Sequence, residues 1–123
     1  MADVTVKRFD ELDKYIGETH GAEFLYAGKS VGVSAWGMSL LRMPAHWDGY
    51  PEHEHAEDGQ EEAYVLLEGS AVLHAGDERW TLEPGTIARV GAAQRRKLVP
   101  GSNGATLLVL GGTPGKPYTP SSL

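Results

Sequence analysis

The sequence contains no cysteine among its 123 residues. Disulfides, zinc sites built on thiolates and cysteine nucleophiles are therefore excluded. Long apolar runs are also missing: Met1–Asp10 offers none that could act as a signal peptide, and no segment approaches the length of a membrane span. Basic residues are few, 11 against 17 acidic ones, and the net charge is −6. This charge disfavours nucleic acid and anionic membranes as partners, so we expect neither, and we expect a cytoplasmic protein.

Glycine and proline are abundant, with 16 and 7 copies, and this argues against a bundle of long helices. Short apolar segments alternate with turn signals, which is typical of an antiparallel sandwich or barrel. The predicted strands are Phe24–Ala27, Val31–Met43, Glu62–Glu68, Ala71–Ala75, Arg79–Leu82, Thr86–Val90, Arg95–Val99 and Thr106–Leu110.

One short amphipathic helix is predicted over Arg8–Ile16, because Phe9, Leu12 and Ile16 recur at helical spacing with charges between them. The chain then divides into an N-terminal segment (1–22), one barrel (23–111) and a proline-rich tail (112–123). Three prolines exclude that tail from a central strand, and we expect it to lie extended on the surface.

The predicted strand Glu62–Glu68 has apolar residues on both faces. Ala63, Val65 and Leu67 make one face wholly apolar, while Tyr64 and Leu66 lie on the other. Strands of this kind are usually covered on both sides. In so small a barrel the second cover can come from another subunit, so we expect a homodimer.

A possible metal site follows from His53 and His55 in the acidic loop before Glu62. Their period-two spacing points both imidazoles to the same side of an extended chain, and imidazole is a ligand for Fe, Mn, Ni, Cu and Zn. By strand parity Glu62 shares an inward face with Tyr64, and a buried carboxylate needs a cation or hydrogen-bond donors. The competing interpretation is that the His-x-His pair is simply solvated surface.

The surrounding residues resemble the two sequence motifs of the cupin superfamily. Gly49, His53, His55, Glu62 and Gly69 are similar to the first motif. The second motif is similar in Gly76, Pro84 and Gly85, and with the strand rhythm the resemblance covers about residues 31–111. It implies an all-β, double-stranded β-helix (jelly-roll) barrel with a site inside. It also implies a divalent transition metal held by His53, His55 and Glu62.

The match departs from the pattern in three ways. Gly49 lies closer to His53 than usual, and His55 lies further from Glu62, so Glu61 and Gln60 stay open as alternatives to Glu62. Where the family's fourth ligand, a histidine, is expected, this sequence has Arg96, whose guanidinium stays protonated and cannot bind a metal.

Two interpretations of Arg96 follow. Either the metal rests on the other three residues and Arg96 binds an anionic substrate beside it, or Arg96 pairs with Glu62 in a metal-free barrel. Tyr64 is a second candidate substrate-binding residue. The resemblance implies a metal-dependent enzyme such as an oxygenase or isomerase acting on a small organic anion. The alternative is a non-catalytic module that binds or senses a small molecule.

Overall fold

The computed structural model describes residues 1–120, so the end of the predicted tail, residues 121–123, lies outside the described residues. The strands are β1 (Glu23–Leu25), β2 (Gly37–Met43), β3 (Glu61–Ala75), β4 (Glu78–Leu82), β5 (Ile87–Val90) and β6 (Arg96–Gly112). All of their pairings are antiparallel. The predicted all-β class is therefore confirmed.

Two long strands, β3 and β6, form the central pair of the sheet. They pair from Glu61 opposite Gly112 to Ala75 opposite Arg96, with a break between the pairs Gly69/Ala105 and Ala71/Pro100. β2 and β1 extend the sheet beyond β6, while β4 and β5 both pair with β3. Register shifts at Leu66/Glu68 and Gly69/Ala71 interrupt the ladder, and such irregularities bend strands and increase their twist.

These register shifts explain why the structure has fewer and longer strands than predicted. Glycine and proline at Gly69 and Pro100–Gly104 were predicted to separate strands, but both strands continue through them. Pro100 has no N–H to donate, and it lies opposite Ala71 next to the irregularity, where no regular ladder bond is required.

The N-terminal segment is less helical than its spacing predicts. A single 3-10 turn covers Phe9–Glu11, and the chain then runs extended, with Lys14 bridging to Leu25 of β1. Phe9 and Ile16 stay exposed, so the predicted apolar stripe has no surface to pack on. Backbone pairing with the edge strand β1, including Tyr15 N–H donating to the Phe24 carbonyl, takes the place of the remaining helical turns.

A five-residue helix, α1 (Ala27–Val31), lies between the predicted strands Phe24–Ala27 and Val31–Met43 and takes in the end of the first and the start of the second. It ends at Gly32, which has a left-handed φ of 85° and donates its N–H back to the last turn. Gly28 packs closely on Met38 of β2, so the helix is held by tertiary contact rather than by its own length.

The core lies between the facing surfaces of β2, β3 and β6. Its members are the inward side chains of alternate positions, including Leu41, Met43, Leu66, Leu73, Leu98 and Leu107. No helix within residues 1–120 is long and apolar enough to cross a membrane. The polar residues described next occupy one end of this interior.

Candidate metal site and adjoining cavity

His53 and His55 belong to the loop between β2 and β3. Backbone hydrogen bonds tie this loop to the start of β6 and to the residues just before it. His53 exchanges two backbone hydrogen bonds with Arg96, at 3.0 and 2.9 Å, and the His55 N–H donates to the Ala92 carbonyl at 2.7 Å. The stretch between them is extended, so both imidazoles point to the same side, with ring centroids 5.1 Å apart. Main-chain pairing therefore fixes the positions of two side chains that are far from β6 in sequence.

Of the three candidate carboxylate or amide residues, the structure places Glu62 in the interior. Its side chain is 3% exposed. Glu61, on the opposite face of β3, pairs with Arg89 at 3.1 Å near solvent. Gln60 is buried, but its amide donates to Asp58 at 3.1 Å. Strand parity accounts for this result, because Glu62 shares its face with the buried Tyr64.

Three possible ligand atoms converge here. One atom each from His53, His55 and Glu62 lie within 4.8 Å of one another. The Nε2 atoms of both histidines are 3.7 and 3.6 Å from the Oε1 atom of Glu62, too far for a hydrogen bond. Both Nε2 atoms are buried and have no hydrogen-bond partner among the described residues.

The opposite nitrogens explain why these Nε2 atoms are suited to a metal. His53 Nδ1 lies 2.9 Å from the Pro51 carbonyl oxygen, and His55 Nδ1 lies 3.3 Å from Asp58 Oδ2. Both partners are acceptors, so Nδ1 carries the proton in the neutral ring and Nε2 presents a lone pair. Outer partners of this kind orient metal-ligating histidines. The donor set therefore fits a divalent transition metal.

Arg96 closes the site from β6 and is fully buried, with 0% of its side chain exposed. All three of its nitrogens donate hydrogen bonds. Nη2 reaches Glu62 Oε1 at 2.8 Å, Nε reaches the Tyr64 hydroxyl at 3.2 Å, and Nη1 reaches the Gln94 carbonyl at 2.6 Å. Its neighbours Arg95 and Lys97 point away, and Arg95 pairs with Glu52 at the surface.

Tyr64 connects the buried ion pair of Arg96 and Glu62 to a second tyrosine, Tyr50. Its hydroxyl donates to Glu62 Oε1 at 2.9 Å and lies 3.1 Å from the hydroxyl of Tyr50. Sequence reasoning missed Tyr50, whose signal was only its position between Gly49 and Pro51 at the start of the first motif. The result is a continuous polar network inside an otherwise apolar barrel, with every connection made at hydrogen-bond distance.

The electrostatics of the site follow from burial and this network. Burial opposes the charge on Glu62, but contacts from His53 and Tyr64 and the charge of Arg96 outweigh it and lower the pKa of the carboxyl. The Glu62 carboxylate in turn raises the pKa of His53. Burial and the same carboxylate raise the pKa of Tyr64 to about 12, so its hydroxyl stays protonated at neutral pH.

A cavity of about 300 Å³ adjoins the site and is called the mouth cavity below. Its lining is largely aromatic and consists of Tyr15, Phe24, Leu25, Tyr26, Ser39, Tyr50, Pro51 and His53. His53 belongs to both the cavity lining and the metal-ligand cluster, so the two adjoin at this residue, and its Nε2 atom lies on the buried side. Glu62, Tyr64 and Arg96 are not part of this lining.

The remaining histidines lie elsewhere. His20 and His46 are exposed in turns, and His74 is half-buried on β3 outside the cluster. Trp47 is buried, and its indole N–H donates to the Thr19 carbonyl at 3.1 Å. Its ring packs edge-on against Phe24 with centroids 6.4 Å apart. Trp47 therefore supports the wall of the mouth cavity from behind.

Comparison with known proteins gives matches only at the level of structure. No protein-family model matches the sequence, and no curated protein sequence matches it. A sugar phosphate isomerase of the cupin superfamily from Silicibacter pomeroyi is 26% identical. It aligns over 92% of this chain and 75% of its own, with a TM-score of 0.74.

Two further solved structures show how widely the fold is used. KdgF from Halomonas sp. is 12% identical over 88% of this chain and 92% of its own, with a TM-score of 0.70. A structure described as that of DMSP lyases is 19% identical over 89% of this chain and 63% of its own, with a TM-score of 0.69. At these identities the likeness concerns the fold, and a shared fold does not fix a reaction.

Proposed function

Since this chain is a small cupin, we propose that it binds a divalent transition metal on His53, His55 and Glu62 and acts on a small organic anion there. The supporting observation is the pair of buried, unpartnered Nε2 atoms facing a carboxylate oxygen. Leaving buried acceptors unsatisfied costs free energy, and a bound cation would recover it. Fe, Mn, Ni, Cu and Zn all accept this combination of nitrogen and oxygen ligands.

The anionic character of the ligand follows from the charges of the site. Glu62 carries one negative charge, and Arg96 at 2.8 Å cancels it, while imidazoles that bind a metal do so as neutral ligands and add none. The charge of a divalent ion would therefore be left uncompensated in a buried environment, and an anionic ligand would balance it. Arg96 and Tyr64 act on this anion through Glu62, whose position and charge they hold.

A bound metal would act as a Lewis acid that polarises an oxygen atom of the ligand. An oxygenase or an isomerase would use this chemistry. The protein's own groups have other tasks. Tyr64 stays protonated and donates to Glu62, and Arg96 keeps that carboxylate ionised and aimed inward. The loop carrying the histidines is held in place by its pairing with β6.

The second candidate function is a metal-free binding or sensing module, in which Arg96 takes the place of the family's fourth ligand. The ion pair between Arg96 and Glu62 favours it, because the carboxylate already has a buried cationic partner at 2.8 Å. In that case the mouth cavity holds a small molecule without chemical change. A homodimer and a cytoplasmic location stay predictions of the sequence.

Elemental analysis of protein purified without a metal-affinity tag separates the two candidates. We expect close to one ion per chain in the wild type and at least a tenfold loss in His53→Ala and His55→Ala. His74→Ala is the matched control, because this histidine is also partly buried but lies outside the cluster. It should keep the metal.

A wild-type protein that takes up no metal after reconstitution, and whose melting temperature is unchanged by Zn, Mn or Fe(II), would favour the metal-free module. Catalysis is then tested on the metal-loaded protein. Oxygen consumption and NMR detection of isomerised product across small carboxylates and phenols distinguish an enzyme from a binder.

A further inference from the structure

The mouth cavity has a composition that selects its ligand. Four of its eight lining residues are aromatic: Tyr15, Phe24, Tyr26 and Tyr50. Tyr15 meets Phe24 edge to face, with centroids 6.4 Å apart and planes at 83°. This is a favoured geometry for aromatic pairs, and a third ring can pack against the face or the edge of either member. The cavity therefore offers faces and edges for an aromatic ring rather than a set of hydrogen-bond donors.

Positive charge lies outside the lining of this cavity, as in Lys29, whose Nζ is 5.4 Å from the centroid of the Tyr26 ring. None of its described lining residues is lysine or arginine. Lys14 is paired with Glu23 at 2.6 Å, and all three nitrogens of Arg96 already donate hydrogen bonds. A phosphate group carries more charge than a carboxylate or a neutral phenol, so it would lose more hydration in a lining without lysine or arginine. A phosphorylated sugar is therefore a poor match to this wall.

The size of the cavity also limits the ligand. Ligand sites usually begin near 300 Å³, and a cavity of about 150 Å³ holds benzene. At about 300 Å³ the mouth cavity has room for one substituted ring. His53 lies where the cavity meets the metal-ligand cluster. The centroid of its ring is 5.6 Å from the centroid of the Tyr50 ring. A ligand's polar end would therefore face His53 while its ring contacts Tyr15 and Phe24.

We propose that the mouth cavity binds a single-ring aromatic compound with one acidic oxygen group, a carboxylate or a phenol, that points toward His53. The ring site depends on the cavity alone, whereas the strengthening of binding by a metal rests on the function proposed above. Tyr15 is the specificity-determining residue of this site. It comes from the N-terminal segment outside the barrel, and its 44% exposure means that it can be changed without opening the core.

Isothermal titration calorimetry with three probes tests this proposal: benzoate, phenol (neutral at pH 7) and ribose 5-phosphate. Each is titrated into chelator-treated and zinc-loaded protein. We expect both ring compounds to bind more tightly than ribose 5-phosphate, and zinc to strengthen benzoate more than phenol. Tyr15→Ala should weaken both ring compounds at least fivefold, while Tyr15→Phe, which keeps the ring, should bind them as the wild type does.

Trp80→Ala is the control, because Trp80 is exposed to a similar degree (46%) but lies on β4 and does not line this cavity. It should leave binding unchanged. Binding of both ring compounds that is lost in Tyr15→Ala, with a benzoate affinity that zinc does not change, would support the ring site and count against the metal. Tighter binding of ribose 5-phosphate than of either ring compound, or ring binding unaffected in Tyr15→Ala, would overturn the proposal even in a zinc-binding protein.

Discussion

Replacing Arg96 with methionine tests whether the buried ion pair determines the stability of the barrel interior. Methionine fills much of the same space without charge. The substitution removes three hydrogen bonds at once, to Glu62, Tyr64 and Gln94. It leaves Glu62 ionised, 3% exposed and held only by the Tyr64 hydroxyl and the histidines. Removing one partner of such a pair costs about 3–5 kcal/mol, and we expect a loss in that range.

The double variant Glu62→Leu/Arg96→Met separates the lost pair from the stranded charge. If the uncompensated carboxylate is the main cost, removing it should return a large part of the stability, with a coupling energy of at least about 2 kcal/mol. Arg95→Met is the matched control. Arg95 is 60% exposed and its pair with Glu52 lies at the surface, so its loss should change the free energy of unfolding by less than about 0.5 kcal/mol.

The pH dependence gives a second readout with opposite signs. In the wild type the pKa of Glu62 is lowered, so its contribution to stability is present above its unfolded-state pKa and is lost as the pH falls through the folded value. In Arg96→Met, burial without the guanidinium should raise that pKa, so acidification from pH 7 to 5 should stabilise the variant more than the wild type, which gains over this range through the raised pKa of His53. Urea unfolding with chelator present at both pH values measures this. A cost below about 1 kcal/mol for Arg96→Met, or a double variant equal to the sum of the singles, would refute the reasoning.

Two further predictions concern the interior and the turns. Because the pKa of Tyr64 is raised to about 12, its contribution is complete below pH 10 and is lost as the pH rises through 12, a change of at most about 3 kcal/mol. Urea midpoints between pH 9 and 11.5 should fall less steeply in Tyr64→Phe, and an equal slope would contradict this origin. Gly69→Ala should destabilise by at least about 2 kcal/mol, because Gly69 has a φ of +75° and its new Cβ would collide with the Gly104 carbonyl. Gly76→Ala, with a φ of +60° and open space, should cost only about 1 kcal/mol, and similar melting temperatures for the two would show that the close approach is unimportant.

The strand parity of β3 and the period-two spacing of the histidines were readable from sequence because both are local rules. They indicated that Glu62 and Tyr64 share a face and that His53 and His55 point to the same side, and the structure has both arrangements. The cupin motifs then predicted the barrel that the structural matches show.

Other features depend on contacts between segments that are distant in sequence. Helix α1 is held by Gly28 on Met38, and the N-terminal segment gives up its predicted helix to pair with β1. Whether Arg96 faces a ligand or Glu62 depends on how β6 lies across β3, which no single strand's pattern encodes. The aromatic wall of the mouth cavity was missed for the same reason, because its members come from three separate segments.

The N-terminal segment is attached to the barrel more loosely than the barrel strands are to one another. The side of the mouth cavity that it forms can therefore vary independently of the barrel. The segment is held by an isolated bridge at Lys14 with its flanking backbone hydrogen bonds, and by hydrogen bonds with the side chains of Ser30 and Trp47, not by the long ladders of β3 and β6. Substitutions around Tyr15 can therefore reshape one side of the cavity at little cost to folding. Ligand preference in proteins of this build can diverge through this segment while the histidines, Glu62 and Arg96 stay unchanged.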